Sequence, residues 1–253
     1  MHPSAFQVSY AIGDVHGRHD LLDLALGLIE RHGRGLNTRI ILLGDLVDRG
    51  PDSRKVVERA MELDREEAAV CLKGNHEAMM LDGLARWPGP EFINWQAQGG
   101  RQTLASYGAH DINANPRGHV PQRHRRWLAE RPATVRDNYR IYVHAGMAPG
   151  VALADQRQKD CLWIRETFLR APPESFEAHV VHGHTPLWEG KPDLGQAELL
   201  AHRTNLDTGA VATGILTIGV FDARTPGGPV EILEARGAPT GAFAGGASGA
   251  QGL

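Results

Sequence analysis

The sequence predicts an α/β fold, and three observations carry that prediction. Five short apolar runs rich in β-branched residues, at 8–12, 39–43, 68–72, 141–143 and 178–181, are bounded by glycine or polar residues, the pattern of buried strands. The first three alternate with helical patterns, which describes a βαβαβ half with right-handed crossovers and a mostly parallel sheet. Each run is followed by a cluster of Asp, Asn or His. In open α/β sheets the carboxyl ends of the strands form the ligand crevice, so these clusters are expected to meet.

In chain order, strand 8–12 enters Gly13-Asp14-Val15-His16-Gly17, and a helix over 20–31 follows, carrying leucines at 21, 22, 24, 26 and 28. Strand 39–43 enters Gly44-Asp45-Leu46-Val47-Asp48-Arg49-Gly50, ahead of a helix over 53–66 with Ser53 as its expected N-cap. Strand 68–72 leads to Gly74-Asn75-His76-Glu77. Helices over 76–86, 92–107 (around Gly99-Gly100) and 121–130 form a block expected to cap the crevice. The basic run Arg123-His124-Arg125-Arg126 reads as a solvated helix face rather than a phosphate patch. The second half is strand-rich, at 133–137, 140–143, 178–181, 198–202, 214–221 and 229–233, with short connections that lead to an expectation of antiparallel pairing. A short helix or turn is expected within 160–170, and loops around Trp87, Trp95 and Trp188 are expected to shape substrate choice. One domain over 1–236 is expected. Residues 237–253, GAPTGAFAGGASGAQGL, are too poor in apolar bulk to pack and are expected to be disordered.

Bulk properties narrow the function. A net charge of −3 and a pI near 6.5 argue against a protein that holds nucleic acid through bulk electrostatics. Two cysteines, Cys71 and Cys161, outside any CxxC pattern, disfavour thiolate zinc and dithiol redox chemistry and read as core residues. The start Met1-His2-Pro3-Ser4 lacks a signal-peptide pattern and no apolar run approaches a membrane span, so a cytoplasmic protein with no membrane partner is expected. Of the 13 histidines, His110, His119 and His202 lie in polar loops with no partner pattern.

The clusters themselves suggest metal chemistry. Asp14 and His16 are separated by one residue, so at a strand end both can turn to one side and bind one ion. Asp45 ends the neighbouring strand, where a carboxylate can bridge two cations. Asn75 offers a neutral oxygen, and His144 and His184 offer imidazole nitrogens. Oxygen and nitrogen donors without sulfur suit Mn, Fe, Zn or Co better than a structural zinc. The set exceeds what one tetrahedral ion needs, so two ions are expected, the arrangement that clamps attacking and leaving oxygens in phosphoryl hydrolysis. Each cluster alone has a bland reading, as a helix cap (Asp14), turn residues (Asp45, Asp48) or a core histidine (His144). Their joint occurrence at strand ends, each flanked by glycine that permits close approach, argues against coincidence.

The motifs GDVHG, GDLVDRG, GNHE, HAG and GHTP, in this order, resemble the signature of the calcineurin-like metallophosphoesterases, and within them the phosphoprotein phosphatase family of serine/threonine phosphatases, especially its small bacterial and phage members. They run from Gly13 to Pro186, and Asp207-Thr208-Gly209-Ala210 extends the match. The resemblance implies a mixed central β-sandwich flanked by helices and a metal-dependent phosphomonoester hydrolase acting on phosphoserine and phosphothreonine in proteins, with a phosphoprotein or phosphopeptide as partner. It implies that Asp14 and His16 hold one ion, that Asp45 bridges, and that Asn75, His144 and His184 hold the other, with Mn2+ the expected metal and Fe, Zn or Co the alternatives. A hydroxide between the ions would attack phosphorus in line. His76 would protonate the leaving alkoxide, oriented by Asp48, while Arg49, Arg165 and Asn75 would hold the phosphoryl oxygens.

Two positions depart from the superfamily pattern. Pro186 stands where many members carry a second histidine, which leaves the first ion fewer ligands, and Lys73 precedes GNHE where Arg is frequent. His182 is assigned a supporting or core role. Symmetrical dinucleoside tetraphosphatases share GDxHG, GDLVxRG, GNHE and HAG, and two discriminators favour the protein phosphatases: GHTP in place of GHW, and the segment Trp163-Ile164-Arg165-Glu166. A catalytically silent binding module would be expected to have lost a ligand or the acid, yet Asp14, His16, Asp45, Asn75, His76, His144 and His184 are all present.

Overall fold

Alternation along the strands builds two layers. In the computed structural model, which describes residues 6–111, 114–187 and 195–240, β1 (Val8–Ile12) pairs in parallel with β2 (Thr38–Leu42), and β2 with β3 (Ala69–Cys71). Tyr10, Ile12, Ile40 and Leu42 point from this sheet toward the crossover helices α1 (His19–His32) and α2 (Ser53–Arg65). Ala11, Ile41 and Leu43 point to the other face, where they meet Tyr142, Val181 and Leu206 of a second sheet. That sheet contains β4 (Thr134–Arg136), β5 (Arg140–Val143), β6 (His179–His182), β7 (Glu198–Leu199) and β8 (Arg203–Asn205), in the order β4-β5-β6-β8-β7. The result is a sandwich of two mixed sheets flanked by helices, as the resemblance implied.

The expectation of an antiparallel second half holds for β4 with β5 and for β7 with β8, but not for the middle of the second sheet. β5, β6 and β8 run parallel, because the long connection after β5 allows a crossover in place of a hairpin. β9 (Ile215–Asp222) and β10 (Glu231–Arg236) return to the first sheet, where β9 lies antiparallel to β1 and gives the order β10-β9-β1-β2-β3. The strand expected at 198–202 is two residues long and bends at Ala201 and His202, and pairing with β6 falls to the polar but buried Arg203–Asn205.

The helical block comprises α3 (Asn75–Ala85), α4 (Pro90–Trp95), α5 (Arg101–Ser106) and α6 (Gln122–Ala129). The helix expected over 92–107 is interrupted at Gly99, whose φ of 113° lies outside helical space. In α6 the basic run is only partly solvated, since His124 turns inward and shares a 3.0 Å hydrogen bond with the Tyr107 hydroxyl. Ser53 is not a cap: it is the first residue of α2 and its hydroxyl accepts from the Asp48 amide. The 160–170 segment forms α7 (Gln158–Trp163) and α8 (Glu166–Leu169), separated at Ile164 and Arg165. Cys71 and Cys161 are buried and unpaired.

Of the segment expected to be disordered, 237–240 is tied to the domain. The Gly237 and Thr240 amides donate to the Gly214 and Val211 carbonyls, and buried Arg18 donates to the Ala238 carbonyl. Residues 241–253 and Trp188 lie outside the described residues. Among the described residues, no helix is long and apolar enough to cross a membrane.

Candidate active site

The carboxyl ends of β1, β2, β5 and β6 and the start of α3 deliver Asp14, His16, Asp45, Asn75, His76, His144 and His184 to one region at the sandwich edge, each no more than 5% exposed. The turns that do this are strained. His16, Asp45, Asp48, Arg49 and His184 have φ of 44°, 49°, 74°, 68° and 67°, and among the described non-glycine residues only Glu67 shares this left-handed region. Two motif glycines make the close approach possible. A Cβ on Gly74 would lie 2.1 Å from Asp45 Oδ1, and one on Gly183 would lie 2.0 Å from Asp14 Oδ1.

Two donor groups share Asp45. His16, Asp45 and His76 form one, and Asp45, His144 and His184 the other, the donor atoms of each lying within 4.8 Å of one another. Asp45 Oδ2 is 3.5 Å from His16 Nε2, and Asp45 Oδ1 is 3.4 Å from His144 Nε2. Asn75 Oδ1 lies 2.8 Å from His144 Nε2 and 3.0 Å from His184 Nδ1. Asp14 stands at the edge of this constellation, its carboxylate accepting from the His184 amide at 3.1 and 3.2 Å. His76 therefore falls in the first donor group, whereas Asp14 lies outside both.

The donor set fits cations. His16 and His144 each place Nδ1 2.9 Å from a backbone carbonyl, of Val47 and Leu43 respectively. A carbonyl only accepts, so Nδ1 carries the proton and Nε2 presents a lone pair toward Asp45. Burial lowers the pKa of both rings, with Arg49 adding to the effect at His16, which favours this neutral form. His144 Nε2 and Asn75 Oδ1 are then two acceptors 2.8 Å apart, an arrangement a cation between them would reconcile. Burial brings His184 down to about 2, and its buried Nε2 has no hydrogen-bond partner among the described residues. The carboxyls of Asp14 and Asp207 are raised, by burial first and by neighbouring carboxylates after it, Asp207 to about 6. Divalent ions would relieve this crowding of negative charge.

Asp48, Arg49 and Arg165 are placed as follows. Asp48 Oδ2 accepts from His76 Nδ1 at 2.7 Å. The Arg49 guanidinium donates to His16 Nε2 at 2.8 Å and to His76 Nε2 at 3.0 Å. Arg165 donates to the Thr185 hydroxyl at 3.2 Å, and burial lowers its pKa although Asp207 and Asp14 lie close enough to oppose that. His182 has the expected core position, its ring edge-on to Phe168 and hydrogen-bonded to Arg203. Lys73 donates to the Ala129 carbonyl.

Two residues went unassigned in the sequence. Glu77, fully buried, accepts from the amides of Gly74, Asp45, Leu46 and Val47 at 2.7, 2.9, 2.8 and 3.2 Å, so one carboxylate binds the GDLVDRG turn to the GNHE turn. Asp207 follows β8 as the other donors follow their strands, in the DTGA match that carried no assigned role.

Comparison with known proteins agrees with this geometry. A family model described as calcineurin-like phosphoesterase matches residues 9–214. Serine/threonine-protein phosphatase 1 of Salmonella typhimurium is 29% identical over 213 residues, covering 83% of this chain and 89% of that protein. The asymmetrical bis(5'-nucleosyl)-tetraphosphatase PrpE of Oceanobacillus iheyensis is 26% identical over 228 residues, covering 81% and 85%. A zinc-dependent endopolyphosphatase of Saccharomyces cerevisiae is 38% identical over 88 residues, and the matched part spans 24% of that protein's length. A solved structure provisionally named a diadenosine tetraphosphatase superposes with a TM-score of 0.63 at 22% identity, covering 93% of this chain and 96% of the other. With every site motif inside the matched span, the chain belongs to the calcineurin-like phosphoesterase family.

Proposed function

We propose that the protein is a cytoplasmic hydrolase that removes phosphate from phosphoserine and phosphothreonine in proteins, using two divalent ions, with manganese as the working metal. The observation that carries this reading is the water-shielded Asp48–His76 pair beside the donor groups. A serine or threonine alkoxide is strongly basic and leaves only with a proton, so a held imidazole is the group such a substrate demands. Asp14 and His16 would hold one ion, Asn75, His144 and His184 the other, and Asp45 both; bound there, the ions would lower the pKa of water and offset phosphoryl charge.

The side chains supply the rest. Arg49 and Arg165 hold the phosphoryl oxygens through charge-assisted hydrogen bonds, and Asn75 touches phosphate as well as metal. Arg49 donates to His76 Nε2, the nitrogen that must carry the proton for acid catalysis. A phosphoryl group draws the guanidinium away and leaves Nε2 free to take up a proton from water and pass it to the leaving oxygen, while Asp48 keeps Nδ1–H in place and stabilises the imidazolium.

The near-equal likeness to PrpE supports a second reading, hydrolysis of dinucleoside tetraphosphates. Turnover of a phosphoserine/phosphothreonine peptide and of diadenosine tetraphosphate by the manganese-loaded protein, with a chelated control, separates the two. Preference for the peptide, lost on chelation, is expected; preference for the dinucleotide would overturn the substrate assignment, and activity surviving chelation would overturn the metal dependence.

A further inference from the structure

The helical block reaches into the site's hydrogen-bond network. Asp48 receives three side-chain donors, and only His76 belongs to the sequence motifs. Trp95 Nε1 reaches Asp48 Oδ2 at 2.9 Å and Oδ1 at 3.0 Å, and the Thr103 hydroxyl donates to Oδ1 at 2.6 Å. The Thr103 oxygen also accepts from the Asp48 amide at 2.8 Å, together with Ser53 Oγ at 3.0 Å, and these two hydroxyls are themselves 2.9 Å apart. Trp95 and Thr103 are fully buried, so every one of these bonds is shielded from water.

The break at Gly99, with Gly100 beside it, makes this convergence possible. Gly100 lies flat against the Trp95 ring, where an added Cβ would be 2.6 Å from Cδ2. The Gly99 carbonyl accepts from the Arg49 amide at 3.2 Å. The kink thus brings α4, with Trp95, and α5, with Thr103, onto the same loop that carries Asp48 and Arg49.

A carboxylate held only by His76 could rotate about its Cβ–Cγ bond and carry the imidazole with it. Donors on both oxygens fix the carboxylate plane, and through the 2.7 Å bond to Nδ1 they fix the direction in which His76 Nε2 points.

We propose that Trp95 and Thr103 are positioning residues for proton delivery: by clamping Asp48 they hold His76 Nε2 on the leaving oxygen. This rests on the hydrolase reading of the site. It predicts a loss that depends on the leaving group. An alkoxide cannot depart without the proton, whereas the stabilised phenoxide of 4-nitrophenyl phosphate can, so a misdirected His76 slows only the first.

The test compares kcat and KM of the manganese-loaded protein on a phosphoserine peptide and on 4-nitrophenyl phosphate. Trp95→Phe keeps the ring and removes the donor, and Thr103→Val keeps the shape and removes the hydroxyl. Both are expected to lower kcat on the peptide by about tenfold or more at little change in KM, and on 4-nitrophenyl phosphate by about twofold or less. Thr103→Ser is expected to restore the peptide rate, and Trp95→Phe in a His76→Asn background to add no further leaving-group-dependent loss. Equal loss on both substrates, or an undiminished additional effect in that background, would overturn the proposal. A wild-type protein inactive on both substrates would overturn the hydrolase reading and the proposal with it. Should Trp95→Phe fail to fold, the Thr103→Val and Thr103→Ser pair decides alone.

Discussion

His76 Nδ1 lies 2.7 Å from Asp48 Oδ2, with the two side chains 2% and 0% exposed. The same imidazole also sits in a donor group with His16 and Asp45. One variant separates the two roles. His76→Asn is expected to lower turnover of a phosphoserine peptide by about 10²–10⁴-fold, the usual worth of a placed acid, with metal content unchanged on elemental analysis. Loss of bound metal would make His76 a ligand instead.

Asp45 is common to both donor groups, whereas His144 belongs to one. Asp45→Asn is therefore expected to abolish tight binding at both positions, and His144→Asn at one. Manganese stoichiometry after gel filtration reads the difference; equal losses in the two variants would remove Asp45 from the shared position.

Glu77 accepts from four amides in two turns. Burial, followed by the charge of Asp45, pushes its carboxyl up to about 7 against the pull of those amides. Glu77→Gln turns an amide group toward backbone N–H donors and leaves some of them unsatisfied. Destabilisation of about 2–4 kcal/mol is expected in urea unfolding. Weaker manganese binding is expected alongside, because the same turn carries Asp45.

Two buried histidines outside the donor groups are expected to contribute to acid sensitivity. Burial brings His179 down from 6.5 to about 4, and burial with Arg203 brings His182 to about 3. As the pH falls through 6.5 the unfolded chain takes up protons on these rings while the folded chain does not. Their contribution is therefore complete above pH 6.5 and is lost as the pH falls toward the folded values. His182→Gln is expected to flatten the fall of the urea midpoint between about pH 6 and pH 4; an unchanged slope would show that other groups control it.

The sequence revealed the strand ends more clearly than the paths between them. Asp14, His16, Asp45, Asn75, His76, His144 and His184 were legible because each lies just after an apolar run in a cluster that contains a glycine, so local pattern and tertiary position coincide. β8 was not, because Arg203, Thr204 and Asn205 are polar residues buried by partners elsewhere in the chain, and Asp207 at its end shared that obscurity. The direction of β5, β6 and β8 depends on where a long connection returns, and the pairing of β9 with β1 spans nearly the whole chain. Neither leaves a periodic trace. The loops around Trp95 are expected from the sequence to shape substrate choice, yet the Trp95 ring itself is fully buried beside the Gly99 kink.

Asp45 stands on one layer of the sandwich and His144 and His184 on the other, with Ala11, Ile41, Leu43, Tyr142 and Val181 filling the space between. An ion held by all three would act as a fastener through the molecule's midline. Metal affinity and the cohesion of the two layers would then be one quantity measured in two ways: each tenfold excess of metal over its dissociation constant would add about 1.4 kcal/mol to the work of prising the layers apart.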